Sequence, residues 1–240
     1  CDSRQFYKEM CIGTAVPNAD ELSKIKHHFI QNLSIEDNYS IGQFERDALA
    51  KIEALHKNNN VVVMVGGSGM YIDSVCNGLD DFPTVPDLIR KELNLRHQNE
   101  GIDALKEELM KLDPNYHELV DSSNPHRIIR AIEVCIVSGK PFSSFRKQQA
   151  KKRNFKTVKI ILNREREELY SRINKRVDEM MTEGLLEEVK KLYDYKDCNA
   201  LKTVGYKELL AYFDGEWDLE TAIEEIKKNT RRYAKRQITW

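Results

Sequence analysis

Residues 40–75 most restrict what this chain can fold into, because they spell helix, apolar strand, glycine turn and helix in direct succession. Ile41, Phe44, Ala48, Ile52 and Leu55 recur at helical spacing, so residues 40–58 read as an amphipathic helix ended by Asn58-Asn59-Asn60. Val61-Val62-Val63-Met64-Val65 follows, short, β-branched and apolar on both faces, which is how a buried parallel strand reads. Gly66-Gly67-Ser68-Gly69 then turns the chain into a second apolar helix over residues 70–75. That grammar predicts an α/β fold in which helices flank a parallel sheet. A second apolar run at 158–162 predicts another strand, and residues 164–193 one long helix.

Between these stretches the pattern changes. Pro83 and Pro86 punctuate a linker, and residues 87–100, 102–112 and 125–138 read as helices with no strand among them. Gly139-Lys140-Pro141 closes the last, a glycine stop with a proline soon after. The expected organisation is an α/β core from residues 1–82 and 156–240, interrupted by an all-helical insertion at 83–155.

Composition narrows the function classes. Of the 240 residues, 40% are hydrophobic and 32% charged, which suits a soluble globular protein and excludes a disordered one. The longest apolar run, 61–65, is far too short to span a bilayer, and Cys1-Asp2-Ser3-Arg4-Gln5 has neither the basic nor the apolar region of a signal peptide. Both ends of the chain read as cut rather than natural. Five scattered cysteines without a CxxC pair argue against a disulfide framework or a cysteine zinc site and for a reducing cytoplasm. The net charge of −1 does not advertise nucleic-acid binding, but its distribution does more. Residues 146–159 carry seven basic and no acidic side chains, and residues 227–236 carry six and none. Each run reads either as a solvated helix face or, with the other, as a footprint for phosphates.

Several short constellations carry chemistry. Asp2-Ser3, taken by itself, reads as a helix N-cap that satisfies a free backbone N–H. Gly66-Gly67-Ser68-Gly69-Met70-Tyr71 sits where strand hands over to helix, where glycines let backbone N–H groups approach an anion and Ser68 adds a donor. It has no lysine and lacks dinucleotide-fingerprint spacing, so it is not a Walker A loop, and a purely structural turn fits it as well. In Asn124-Pro125-His126-Arg127-Ile128-Ile129-Arg130, two arginines lie one helical turn apart beside core-like isoleucines. Arg172 and Arg176 border the apolar stripe of Leu169, Ile173, Val177 and Met180, and either pair with carboxylates or aim at a phosphate. His27-His28 is no metal pair, since adjacent side chains point apart.

In this order and register the motifs resemble the tRNA dimethylallyltransferase (isopentenyltransferase) family along nearly the whole chain. The resemblance rests on DSRQ-x-Y at 2–7, M-x-IGTA-x-P at 10–17, GGSGMYI at 66–72 and GLD at 78–80. It continues through NPHRIIRAIEV at 124–134, SGKP at 138–141, VGY at 204–206 and AKRQITW at 234–240. Val16 stands where the family commonly has lysine, and Ser68 where it commonly has threonine, a swap that keeps the hydroxyl. The resemblance implies a P-loop NTPase-like parallel sheet with a helical, tRNA-binding insertion. It also implies a Walker-A-like loop ahead of the DSRQ motif, which these residues do not include.

The reaction so implied moves a dimethylallyl group from dimethylallyl diphosphate to N6 of the adenosine 3′-adjacent to the anticodon. By resemblance Asp2 is the general base, and Ser68, Arg172 and, more weakly, Arg176 meet the diphosphate together with Mg2+. The tRNA anticodon stem-loop would be held by Asp2, Ser3, Arg4, Gln5, Ser68, Arg90, His126, Arg127, Ile128, Ile129, Arg130, Lys235, Arg236 and Gln237. Asp2 and Ser68 are expected to face one cavity, in a cytoplasmic monomer without membrane attachment. Two rival readings stay open: a transferase or kinase acting on a free nucleotide or small molecule, and a non-catalytic RNA-binding fragment.

Overall fold

Several helices begin where a side chain caps them. The computed structural model describes residues 1–147 and 149–240. In chain order the helices are α1 (Ala19–Lys24), α2 (Ile41–His56), α3 (Gly69–Asn77), α4 (Asp87–Leu112) and α5 (Pro114–Leu119). They continue as α6 (Pro125–Ser138), α7 (Arg166–Glu183), α8 (Leu185–Lys191), α9 (Tyr206–Phe213) and α10 (Leu219–Thr239). Asn18 and Ser40 open α1 and α2 with reciprocal capping boxes, and Asp113, Asn124 and Asp218 cap α5, α6 and α10. Each side-chain oxygen takes a backbone N–H that the first turn leaves without a helical partner.

The expected parallel sheet is not found. Among the described residues the one β-type pairing is an isolated parallel bridge between Tyr7 and Leu33. Residues 61–65 and 158–162 run without regular structure, and their side chains lie open: Val63 is 78% exposed and Leu162 95%. A strand exists only through ladder bonds to a neighbour, and no described segment pairs with either run. Apolar β-branched composition registers a preference for burial but cannot supply the partner, so the α/β sheet reading is corrected to a helical one. The single helix expected over 164–193 is corrected too. Gly184, at φ 103°, ends α7 and starts α8 in a new direction. Conversely, the helices expected at 87–100 and 102–112 run on as α4, with a non-helical Gly101 (φ 80°) marking the break.

The chain divides into two compact units, residues 1–76 with 154–240 and residues 77–153. The core of the first gathers Phe6, Met10, Phe44 and Val75 from the N-terminal half with Val177, Leu185, Tyr206, Leu209 and Ile226 from α7 to α10. Phe6 stacks on Phe44 at 5.5 Å between centroids, with Tyr71 tilted against both. Burying the segment around Phe6 in this way anchors residues 2–7 although they form no helix.

The second unit packs α4 against α6 around Leu93, Leu105, Leu109, Ile128, Ile132 and Phe142. Two carboxylates are buried in it. Asp113 caps α5 through the Tyr116 N–H and also accepts from the Ser143 N–H (2.6 Å) and hydroxyl (3.0 Å). Glu133 receives Arg90 in a two-pronged pair, Nε at 2.6 Å and Nη2 at 2.8 Å, and Arg130 at 3.2 Å. No helix among the described residues is long and apolar enough to cross a membrane, and all five cysteines are free thiols.

Candidate active site

Three motifs far apart in sequence meet at the glycine bend of residues 66–69. The Ser3 N–H donates to Ser68 Oγ at 3.0 Å, the Ser68 hydroxyl donates to Ser3 Oγ at 3.1 Å, and the Ser68 N–H reaches the Cys1 carbonyl at 3.4 Å. Asp2 is therefore one residue from the Ser68 hydroxyl. Its Oδ1 accepts the Arg4 N–H at 2.9 Å, an Asx-type turn that holds the carboxylate in place, and its Oδ2 takes no described hydrogen bond.

Gly66 is required by these contacts, whereas a side chain at Gly67 would displace only the end of the exposed Gln237. A Cβ on Gly66 (φ 148°) would lie 1.9 Å from the Cys1 carbonyl oxygen, and one on Gly67 would lie 1.9 Å from Gln237 Nε2. From the far side the end of α10 closes on the bend. Gln237 and Tyr233 both donate to the Gly67 carbonyl, at 3.0 and 3.3 Å, while the Trp240 ring lies against Gly69 and its Nε1–H donates to Asp73.

The next two residues of the opening motif are engaged internally. Arg4 Nη1 donates to the carbonyls of Asn199 (3.0 Å) and Ala200 (3.1 Å). Gln5 Nε2 donates to Thr14 O and Ala15 O, at 3.0 and 2.9 Å. Arg172 and Arg176 stand exposed on α7 and form no ion pair with a described residue, so both heads are free to meet an anion. Lys235 and Arg236 are exposed at the end of α10, Arg236 lying over the Tyr233 ring at 5.7 Å.

Within the helical unit the expected contacts separate. Ile128 and Ile129 are buried in its core, so their side chains pack inward rather than onto the surface. Arg90 and Arg130 spend much of their hydrogen-bonding capacity on Glu133, and Arg130 also lies over Phe82 at 5.6 Å. His126 and Arg127 are exposed at the start of α6.

Sequence reasoning missed two residues beside the site. Glu188, on α8, accepts the backbone N–H groups of Cys11 (3.0 Å), Ile12 (2.8 Å) and Gly13 (3.1 Å), together with the Tyr206 hydroxyl at 2.6 Å. Burial, and then the charge of Glu188, pushes the Tyr206 phenol far up, so Tyr206 remains a protonated donor. Burial first and Glu188 second also raise the Cys11 thiol. The glycine of the IGTA motif was the available signal, since a Cβ at Gly13 would fall 2.5 Å from the Tyr206 ring. Its partner lies 175 positions away, beyond any local pattern.

A carboxylate beside a hydroxyl, with free guanidinium groups in the same unit, is the equipment of a group-transfer enzyme. The family model for IPP transferase matches residues 5–240. The chain belongs to the IPP transferase family. It is 59% identical over 239 residues to a tRNA dimethylallyltransferase of Christiangramia forsetii, spanning 100% of this chain and 79% of that protein. It is 53% identical over 246 residues to the enzyme of that name from Flavobacterium johnsoniae, spanning 100% and 80%. Among solved structures, the tRNA isopentenylpyrophosphate transferase of Bacillus halodurans superposes with TM-score 0.67 at 38% identity, over 100% of this chain and 76% of that one. A eukaryotic dimethylallyltransferase described as acting on tRNA superposes with TM-score 0.80 at 28% identity, over 100% and 61%.

Proposed function

We propose that this protein transfers a dimethylallyl group from dimethylallyl diphosphate to N6 of the adenosine 3′-adjacent to the anticodon of a tRNA. The observation that carries the reading is the junction of Asp2-Ser3 with Ser68, supported by the names of the relatives and solved structures above. The exocyclic amine is a poor nucleophile because its lone pair is delocalised into the ring. As the N6–C bond forms and the allylic C–O bond breaks, the amine loses a proton and the diphosphate leaves with the bonding electrons. Asp2 is assigned the proton: its Oδ2 is uncommitted while Oδ1 is pinned by the Arg4 N–H, and such general-base help contributes typically about 10²–10⁴-fold.

Ser68 is assigned to the diphosphate, exchanging its bond to Ser3 for a phosphate oxygen, with Arg172 and more weakly Arg176 adding charge. A fixed donor of this kind contributes roughly 3 kcal/mol in a water-poor site. Mg2+ would add charge neutralisation on the diphosphate. Such an ion is ordinarily held by one or two carboxylates together with the phosphates themselves. In the first unit Lys235 and Arg236 would grip the tRNA backbone, with Ser3 near the target base; the second unit offers its own phosphate contacts at His126, Arg127 and the exposed edges of Arg90 and Arg130. Arg4 and Gln5 support this segment from within. Drawing the adenine out of its stack costs a few kcal/mol, least in a loop. A monomer in the cytoplasm completes the reading.

The test is single-turnover transfer of labelled dimethylallyl diphosphate to tRNA or to AMP. Wild type should label tRNA and not AMP. Asp2→Ala should abolish transfer while tRNA affinity holds within about twofold, since it removes a group acting in the transition state. Unchanged turnover in that variant, or labelling of AMP alone, would sink the proposal.

A further inference from the structure

Glu188 lies outside the residues assigned to chemistry, yet hydrogen bonds joined by short stretches of backbone link it to them. Its two carboxylate oxygens gather three successive N–H groups, those of Cys11, Ile12 and Gly13, on one side and the Tyr206 hydroxyl on the other. Immediately after these N–H groups the same loop turns its Thr14 and Ala15 carbonyls to Gln5 Nε2. Gln5 is held again through its own carbonyl, which accepts the Gln31 N–H at 2.8 Å. Three residues before Gln5 is Asp2. Ala15 has a left-handed φ of 49°, and Gln31 one of 48°, conformations that non-glycine residues keep only where their surroundings hold them. The Thr14 hydroxyl ties the loop back to the Met10 carbonyl at 2.6 Å. Only a group with two acceptor oxygens serves here, because an amide would turn its NH2 toward N–H donors.

We propose that Glu188 is a positioning residue for the segment carrying Asp2, acting through the 11–15 loop and Gln5. Its consequence for turnover rests on the prenyl-transfer reading; the mechanical link from Glu188 to residues 2–5 does not. The carboxylate draws the three N–H groups together and sets the direction of the carbonyls that follow. Those carbonyls in turn fix where Gln5, and with it the Asp2 turn, sits beside Ser68. Gly13 is glycine because the Tyr206 ring occupies the place of its side chain.

The experiment compares Glu188→Gln, the milder Tyr206→Phe, Gln5→Ala and the Glu188→Gln/Gln5→Ala double variant in the full-length protein. Amide exchange is followed at Ser3 and Arg4, whose N–H groups bond Ser68 and Asp2, and at residues 11–15. In Glu188→Gln both sets should exchange about tenfold faster, with α2 and α10 unmoved, and Tyr206→Phe should show the same pattern at smaller amplitude. With tRNA and dimethylallyl diphosphate as substrates, kcat should fall about tenfold while KM for tRNA stays within about twofold, and the double variant should be no worse than the worse single one. Faster exchange confined to residues 11–13, or spread equally over α2 and α10, overturns the proposal. So does a double variant whose loss is the product of the single losses. If wild type fails to label tRNA, the functional reading falls, and the exchange arm still decides the link from Glu188 to residues 2–5.

Discussion

At the scale of single residues the bend of 66–69 is governed by the absence of side chains. Gly66→Ala would put a methyl group against the Cys1 carbonyl, a backbone atom that cannot swing away, in a conformation alanine resists. A loss of about 1–3 kcal/mol is expected, read as a lower denaturant midpoint at unchanged slope. Gly69→Ala meets only the exposed Trp240 ring, 2.9 Å from its fused carbons, a side chain that can move, and should cost less than Gly66→Ala. Gly101→Ala, with nothing within 4 Å, should cost no packing but the roughly 1–3 kcal/mol of a backbone conformation (φ 80°, ψ −178°) that is essentially glycine's alone. Arg172 is exposed and forms no ion pair with a described residue, so Arg172→Ala should leave thermal stability unchanged and lower kcat about tenfold or more. A loss confined to tRNA affinity would remove Arg172 from the diphosphate.

At the scale of elements α6 shows how one helix can be both a core and a surface. Its bounds were legible because an Asn cap, a Pro at the first turn and a Gly stop are local signals. Which of its arginines is free was not legible, because that depends on Glu133 being buried opposite α4. Burial pushes the Glu133 carboxyl up, but the hydrogen bond and charge of Arg90, and then of Arg130, outweigh it and hold it below its ordinary value of 4.5. A lowered carboxyl contributes stability that is complete above 4.5 and fades as the pH falls toward its folded value. Glu133→Gln should flatten the acid limb of the stability profile below that value. It should also cost about 2–3 kcal/mol at neutral pH, less than a fully enclosed pair, because the side chains of Arg90 and Arg130 remain 53% and 37% exposed and water can take over. An acid limb unchanged from wild type would show that the pair does not titrate in that window. Arg127→Ala, by contrast, should weaken tRNA binding without moving stability.

At the scale of the whole molecule, a net charge of −1 means that affinity for a polyanion must come from local basic surfaces rather than from the total. The tRNA association constant should therefore fall steeply with salt, and removing Lys235 and Arg236 together should reduce the log–log slope by about 1.4, at roughly 0.7 per phosphate of a single strand. An unaltered slope would mean that neither side chain touches phosphate.

By itself the amino-acid sequence determined what is written within a few residues: helix caps and stops, glycine turns, and the register of motifs that mark the family. It also named the carboxylate and the hydroxyl of the candidate site. Only the tertiary structure decided that residues 61–65 and 158–162 lack regular structure and a described pairing partner, and that Gly184 breaks a helix in two. It alone joined Ser3 to Ser68 and Glu188 to the 11–13 loop, 65 and 175 or more positions apart. A cap is satisfied by a neighbour three residues on, whereas a strand or a buried carboxylate is defined by partners that only folding brings near.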